Sequence, residues 1–320
     1  MRTPKPFLTY NQQMDKLIYD KHIIISDRLT AKNALKRIGY FSIIGGYKTP
    51  FINPMTRIYE RGSSFEDVLD LYYFDRNLRN IFFHYLCEIE VYMRQLISYN
   101  FCLRHGESQD KYLNKNNFDQ SSPIKKDEVN KLIHILDFHA NQDIKHPYLI
   151  HQRRLYQNVP LWAIMSTLTF GQISKFYSLL KFKMKEDIVR EFSIVREFSP
   201  LTTTTLETYL DRLSLIRNTC AHNERLYSFR FNKDFPDSDI HISLRIPQNG
   251  EQFIYGKKDI FSSVIALRYL LPNESFKQFE SELSRCIDTY LEKATHITQK
   301  QLYDYMGFPL NWQDIRQYHH

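Results

Sequence analysis

Apolar residues recur at spacings of three and four along most of this chain, which is the period of helices with one buried face. The longest such pattern runs from Phe65 to about Leu103 and predicts one long or kinked bundle helix. Gly-Ser-Ser at 62–64 marks its start, and His105-Gly106 marks its end. Shorter patterns of the same period predict further helices at about 10–20, 28–38, 126–145, 171–182, 184–192, 199–223, 259–271 and 273–294.

The pattern changes after Tyr227. Residues 228–257 are interrupted by prolines and glycines, and alternating stretches at 240–245 and 252–255 predict a small β-hairpin or extended loop. We therefore expect a mainly α protein in three parts. These are an N-terminal helical module (1–62), a helical core (63–227), and a hairpin or loop with C-terminal helices packing on the core (228–320).

The predicted helix at 199–223 separates apolar from polar residues most clearly. Ser199 as N-cap and Pro200 at the first helical position favour its start. At about 100° per residue, Arg217 falls at the edge of the apolar stripe, whereas Asn218, His222 and Arg225 fall on the far side. These polar residues should face solvent, a substrate or another subunit. The stripe itself consists of Leu206, Tyr209, Leu210, Leu213, Ile216 and Cys220.

Residues 217–227, RNTCAHNERLY, contain the pattern Arg–Asn–x3–His. Arginine is always charged and can clamp a phosphate with two parallel hydrogen bonds. Histidine exchanges a proton near neutral pH, and asparagine can hold a substrate oxygen or the histidine ring. These are the groups needed to cleave RNA without a metal. The pattern is short, however, and a surface charge followed by a helix-end histidine is the alternative interpretation.

Composition is compatible with this chemistry. Lys plus Arg number 43 against 36 Asp plus Glu, so the net charge is +7, which suits a polyanionic partner. Only 9 glycines occur, which argues against a glycine-rich nucleotide-binding loop and for helices. The 23 Phe and 22 Tyr can fill cores or stack on unpaired bases, with core filling the default.

Cysteine and histidine positions predict neither disulfides nor a metal site. Unpaired cysteines in apolar helical patterns are typical of buried, reduced thiols in a cytosolic protein; they are Cys87, Cys102, Cys220 and Cys286. No Cys/His cluster has zinc-ligand spacing. The irregularly spaced His134, His139, His146 and His151 are interpreted as surface residues. No leader-like or membrane-spanning apolar run is found, so we expect a cytoplasmic chain with no membrane partner.

Several segments occur together in a recognisable order. They are KPFLTYNQQMDKL at 5–17, RGSSFEDVLDLYYFDRNLRN at 61–80, EIEVYMR at 88–94, FGQISKFYSLL at 170–180, RNTCAHNERLY at 217–227 and MGFPLNW at 306–312. Together they resemble the bacterial Abi-like family, the AbiD/AbiF type of abortive-infection proteins, which belongs to the HEPN superfamily. The resemblance spans nearly the whole chain, and its Arg–Asn–x3–His core is intact.

The resemblance implies an antiparallel HEPN-type helical bundle that acts as a homodimer and cleaves RNA without cofactor or metal. Arg217, Asn218 and His222 would take the catalytic positions. It also implies a role in phage defence or toxin–antitoxin-like control. RNA would be the partner, as a substrate and also as a cognate small non-coding RNA.

Arg76, Arg79 and Arg225 are candidates for binding RNA phosphates. The alternative for Arg76 and Arg79 is pairing with nearby carboxylates such as Asp75 or Glu88, and the alternative for Arg225 is a helix-end charge. Two other functions stay open for the chain as a whole. One is a non-catalytic RNA-binding protein that forms a ribonucleoprotein with a small RNA, and the other is a purely structural dimerisation protein.

Overall fold

The computed structural model describes residues 6–192 and 199–318, and the described chain is mainly helical, as predicted. Its first helices are α1 (Tyr10–Asp15), α2 (Arg28–Arg37), α3 (Phe65–His105), α4 (Gln109–Tyr112), α5 (Pro123–Asn141), α6 (Pro147–Tyr156) and α7 (Leu161–Met165). The later helices are α8 (Phe170–Ser178), α9 (Phe182–Arg190), α10 (Thr203–Ala221), α11 (Asp239–Ser243), α12 (Ile260–Leu270), α13 (Asn273–Leu291) and α14 (Gln299–Met306). Strand β1 (Gln248–Asn249) pairs antiparallel with β2 (Gln252–Phe253). Short π- and 3₁₀-helical turns cover Lys16–Asp20, Phe41–Gly45, Thr49–Phe51, Lys115–Asn117 and Trp312–Gln317.

Helix α3 is the central element of the fold. Its 41 residues extend roughly 60 Å, at about 1.5 Å per residue. The hydroxyl of Ser64 accepts the N–H of Asp67 at 3.1 Å, and the Asp67 carboxylate accepts the N–H of Ser64 at 2.8 Å, so the first turn is capped from both sides. Gly106, with φ +91°, ends the helix. The predicted long helix is therefore confirmed, and helices α7, α8, α9, α10 and α13 pack around it.

Helix α10 packs against α3 and α8 through the predicted apolar stripe, all of whose members are buried. Its predicted start at Ser199-Pro200 is wrong. The Thr202 hydroxyl accepts the N–H of Thr205 at 3.0 Å and caps a helix that begins at Thr203. The N–H of Ser199 donates instead to the carboxylate of Asp239, which holds this segment outside the helix.

The C-terminal part differs from prediction at 240–245. This stretch was expected to be extended but forms α11, because Nδ1 of His241 accepts from the backbone N–H and hydroxyl of Ser238 and closes a helical turn. The hairpin is present but shorter than predicted, with Gln248 opposite Phe253. Alternation over a few residues fits one helical turn as well as a strand, and the local cap decides between them.

Buried side chains from all three parts of the chain form one continuous core, from Leu17 through Phe82 to Leu283. The N-terminal part is tied to the start of α3 by a backbone bridge between Ile24 and Ser64. Across the described ranges, 6–192 and 199–318, no helix combines the length and apolar character that crossing a bilayer requires. The free cysteines are less uniformly buried than expected: Cys220 is buried, and Cys87, Cys102 and Cys286 are half-buried.

Candidate functional site

The last turn of α10 carries the Arg–Asn–x3–His residues to the surface. Asn218 and His222 are both exposed. His222 is the C-cap of the helix, and its backbone N–H donates to the carbonyl of Asn218 at 2.9 Å. Asn223 then turns the chain sharply with φ +55°. The side chains of Asn218 and His222 share this surface, and among the described residues no hydrogen bond joins one to the other.

Arg217 is held by a buried carboxylate on α3. Its Nε lies 3.3 Å from Oε2 of Glu90, and its guanidinium lies 5.5 Å from the ring centroid of Phe83. Glu90 is also paired with Arg94, one turn further along α3, and Arg94 donates to the carbonyl of Leu168 at 2.8 Å. One carboxylate therefore balances two guanidinium groups. This leaves an excess of positive charge around Glu90. Because about a quarter of the Arg217 side chain is exposed, an anion can reach that charge from solvent.

Asp75 anchors the segment immediately after the motif. It is fully buried on α3, and its carboxylate accepts the backbone N–H groups of Leu226 at 3.0 Å and Tyr227 at 2.6 Å. It also accepts the hydroxyl of Tyr47 at 2.6 Å and the guanidinium of Arg79 at 2.5 Å. Burial raises the pKa of Asp75, against the opposing effect of Arg79, Tyr47 and the two amides. The turn that presents His222 is thereby fastened to the centre of the fold.

The three arginines expected to bind phosphate are in different surroundings. Arg79 is buried in the ion pair with Asp75 and also donates to the carbonyl of Glu224 at 3.3 Å, so in this conformation it does not line a surface groove. Its role here is the carboxylate pairing that the sequence left open as the alternative. Arg225 is exposed and donates to the carbonyl of Gly46 at 2.8 Å.

Arg76 alone of the three is exposed beside an open pocket. The pocket lies between α2 and α3, and the guanidinium of Arg76 lies 4.7 Å from the ring centroid of Tyr73 at its edge. Two arginines, two tyrosines and no acidic residue contribute to its lining, which consists of Thr30, Asn33, Ala34, Arg37, Ile38, Leu69, Tyr72, Tyr73 and Arg76. Arg37 was not predicted as a site residue, because nothing in its local helical pattern distinguishes it from other surface charges.

Cys220 lies inside the motif but is not placed to act as a nucleophile. Burial raises the pKa of its thiol to about 12, with a further contribution from the nearby Asp75. The thiolate is the reactive form of cysteine, so this side chain stays protonated and unreactive at neutral pH. It serves as part of the packing between α10 and α3.

Two of the four histidines interpreted as surface residues are not simply solvent-exposed. His134 and His151 are exposed, as expected. His139 and His146 are half-buried and turn toward each other, because both imidazoles direct Nδ1 at the same carboxylate oxygen of Asp143 at 2.7 Å. The interpretation as surface residues is therefore confirmed for His134 and His151 and wrong for His139 and His146.

The fold and the surface at the end of α10 define an α-helical protein whose central helix holds an Arg–Asn–x3–His segment in place through buried ionic contacts. The chain belongs to the Abi-like protein family, whose sequence model matches residues 33–228. Membership suggests a role in abortive infection, a form of phage defence. The match includes the motif and the site residues on α3, and the resembling segments at 5–17 and 306–312 lie outside it. No curated protein and no solved structure matches the chain significantly.

The Asp75 anchor gives a stability prediction. Asp75→Asn should lower the free energy of unfolding by about 3–5 kcal/mol, because it leaves the Arg79 guanidinium buried without a counter-charge. The matched control is Asp127→Asn, which removes an exposed i,i+4 ion pair with Lys131 and should cost no more than about 0.5 kcal/mol. Urea unfolding of both variants measures the difference, and equal losses would contradict an energetic role for Asp75.

Proposed function

We propose that the chain is a metal-independent endoribonuclease of the HEPN type that acts in abortive infection. The observation that carries the proposal is the open presentation of Asn218 and His222 beside Arg217, at the end of a helix anchored by Asp75 and Glu90. A surface histidine without a catalytic task needs no such support. The family match is consistent with a defence role, and RNA is the substrate class that suits the three side chains.

The reaction follows from the groups present. A neutral histidine removes the proton of a ribose 2′-hydroxyl, and the 2′-oxygen attacks the adjacent phosphorus. As this P–O bond forms, the bond from phosphorus to the 5′-oxygen breaks, and a protonated histidine gives its proton to that leaving oxygen. The products are a 2′,3′-cyclic phosphate and a 5′-hydroxyl. Arg217 would stabilise the dianionic phosphorane, and Asn218 would hold a phosphate oxygen or the imidazole.

Helical geometry favours a site made by two subunits. Arg217 and His222 are five positions apart, which corresponds to roughly 140° around the α10 axis, so one chain does not aim both side chains at the same point. A two-fold dimer brings the histidine of each copy to the other, which supplies a base and an acid. The exposed stripe of α10 that contains Asp211, Leu215, Asn218 and His222 is the surface that would meet its own copy.

The pocket of Arg37, Tyr72, Tyr73 and Arg76 is the best-suited surface for the rest of the RNA. Its guanidinium groups suit phosphates, and its tyrosines suit unpaired bases. Tyr72 is in edge contact with Tyr47, and the hydroxyl of Tyr47 donates to Asp75. The pocket and the segment after the motif are therefore both connected to Asp75. A cognate small non-coding RNA that occupies this surface would restrain the enzyme as in toxin–antitoxin control.

The catalytic prediction concerns the motif itself. His222→Ala and, separately, Arg217→Lys should reduce RNA cleavage by at least about a hundredfold, since each removes a proton-transfer or bidentate phosphate contact. His222→Ala should keep the wild-type unfolding midpoint, and Arg217→Lys retains the positive charge beside Glu90 and should be fully folded at the assay temperature. His151→Ala, which alters another exposed histidine, is the control and should cleave normally. End-group analysis of the products should find 2′,3′-cyclic phosphates. Normal cleavage by His222→Ala would exclude His222 from the chemistry, whereas RNA binding without cleavage by the wild-type protein would favour the non-catalytic RNA-binding function.

The assembly prediction uses the exposed apolar residue of the α10 stripe. Leu215→Arg should convert a dimer into a monomer and abolish cleavage, because each site would lose the residues of the second copy. Leu155→Arg, at an exposed leucine of α6, is the matched control and should remain dimeric and active. Light scattering at micromolar concentration reports the mass of each. Full activity from a monomeric Leu215→Arg protein would contradict an active site made by two subunits.

The RNA-path prediction uses the inactive His222→Ala protein as background. Adding Arg37→Ala and Arg76→Ala together should weaken binding to all RNA sequences alike. It should also flatten the dependence of log Kd on log salt concentration, by about 0.7 per lost phosphate contact. Arg154→Ala, at an exposed arginine of α6, is the control. A slope and affinity unchanged by the double substitution would exclude this pocket from the RNA path.

A further inference from the structure

The junction between α5 and α6 brings together three side chains of the kinds that bind transition metals. His139 lies in the last turn of α5, Asp143 lies in the connecting loop, and His146 is the N-cap of α6. Nδ1 of each imidazole lies 2.7 Å from Oδ2 of Asp143, and the three ligand atoms all lie within 4.8 Å of one another. Among the residues that the structure describes, this is the group that offers three such atoms to one point.

The carboxylate is fixed in place by the backbone around it. Asp143 is 2% exposed, and its other oxygen, Oδ1, accepts the N–H groups of Lys145 at 2.8 Å and His146 at 3.3 Å. Because Oδ1 is held by the backbone, Oδ2 is the oxygen directed at the two imidazoles. Hydrogen bonds of this kind around a ligand hold it in the orientation that metal binding requires.

The loop that carries the ligands is braced by Arg153 of α6. Its guanidinium donates to the carbonyls of His139 and Ala140 at 3.1 Å each, and also to the carbonyl of Asp143. The end of α5 and the loop are therefore held against α6 independently of the imidazoles. The three ligands sit on a braced framework, so little rearrangement is needed to bind an ion.

We propose that His139, Asp143 and His146 form a zinc site that joins α5 to α6. Two imidazole nitrogens and one carboxylate oxygen are a ligand set that Zn²⁺ accepts, with bonds of about 2.0–2.2 Å. Around a tetrahedral ion such ligands stand roughly 3.3 Å apart. Each imidazole nitrogen therefore has to withdraw from Oδ2 of Asp143 by about half an ångström, and the two nitrogens, which now lie within 4.8 Å of each other, have to take the same spacing. His146 is about one-third exposed, which gives the ion an entry path and leaves room for water as fourth ligand. The site is independent of the proposed ribonuclease chemistry.

The competing explanation is a clamp without metal, in which two imidazoles donate hydrogen bonds to one carboxylate oxygen. The clamp and the zinc site use the same three residues but differ in their response to added metal. A clamp has no reason to bind zinc at one ion per chain, and its stability should not change with zinc concentration. Zinc that binds the folded chain and not the unfolded chain must raise the unfolding temperature, and the rise must grow with the logarithm of the zinc concentration above Kd.

The test is a titration of metal-free full-length protein with Zn²⁺ and with Co²⁺. We expect one ion per chain by native mass spectrometry, a visible Co²⁺ absorption band that Zn²⁺ abolishes, and a rise in unfolding temperature with Zn²⁺. His139→Ala and His146→Ala should each weaken zinc binding at least tenfold and remove the temperature rise. His134→Ala and His151→Ala replace exposed histidines of the same two helices and should bind as wild type does.

Two outcomes overturn the proposal. One is wild-type protein that binds no ion stoichiometrically at micromolar Zn²⁺, which leaves the clamp as the explanation. The other is zinc binding that His134→Ala or His151→Ala weakens as much as His139→Ala and His146→Ala do, which assigns the ion to scattered surface histidines. Because the first outcome is measured on the wild-type chain, the proposal stays testable even if a variant fails to fold.

Discussion

The buried carboxylate of Asp75 is the contact on which the candidate site depends. It joins the N-terminal part through Tyr47, the central helix through Arg79, and the segment after the motif through the amides of Leu226 and Tyr227. A charge buried this deeply is tolerated only when each of its lone pairs has a donor. Tyr47, α3 and the segment after the motif must therefore be in place together, and this requirement also positions the end of α10.

A second buried carboxylate, Glu90, lies 15 positions further along α3, roughly 22 Å away. Glu90 pairs with Arg217, whereas Asp75 accepts hydrogen bonds from the backbone of Leu226 and Tyr227, further along the chain. The last part of α10 and the turn after it therefore run antiparallel to α3, between these two buried carboxylates. The apolar stripe fixes which face of α10 is buried, and the two carboxylates fix how far along α3 it sits. Packing alone would allow the helix to slide, whereas a buried ion pair penalises every other register.

The sequence predicted those features that depend on local period. The length of α3, the buried stripe of α10 and the outward direction of Asn218 and His222 all follow from spacings of three and four. Features set by distant contacts were missed. Nothing near Arg79 in sequence indicates that Tyr47 and Glu224 will close over it, and the spacing of His139 and His146 does not reveal that a loop will turn both toward Asp143. At 240–245, the capping contacts between His241 and Ser238 favoured a helical turn over the strand that the alternation of apolar and polar residues predicts.

The hydrogen-bond partners of Asp75 are also synthesised at very different times. The backbone amides of Leu226 and Tyr227 lie 151 and 152 residues after Asp75 in the sequence. Tyr47 and Arg79, its other hydrogen-bond partners, lie only 28 and 4 residues from it. During synthesis the early partners are available long before the late ones, because domains emerge from the ribosome N-terminus first. The turn that presents His222 can therefore take its final form only after most of the chain has been made. The candidate site at the end of α10 therefore forms late in synthesis, once the segment that closes over Asp75 has emerged.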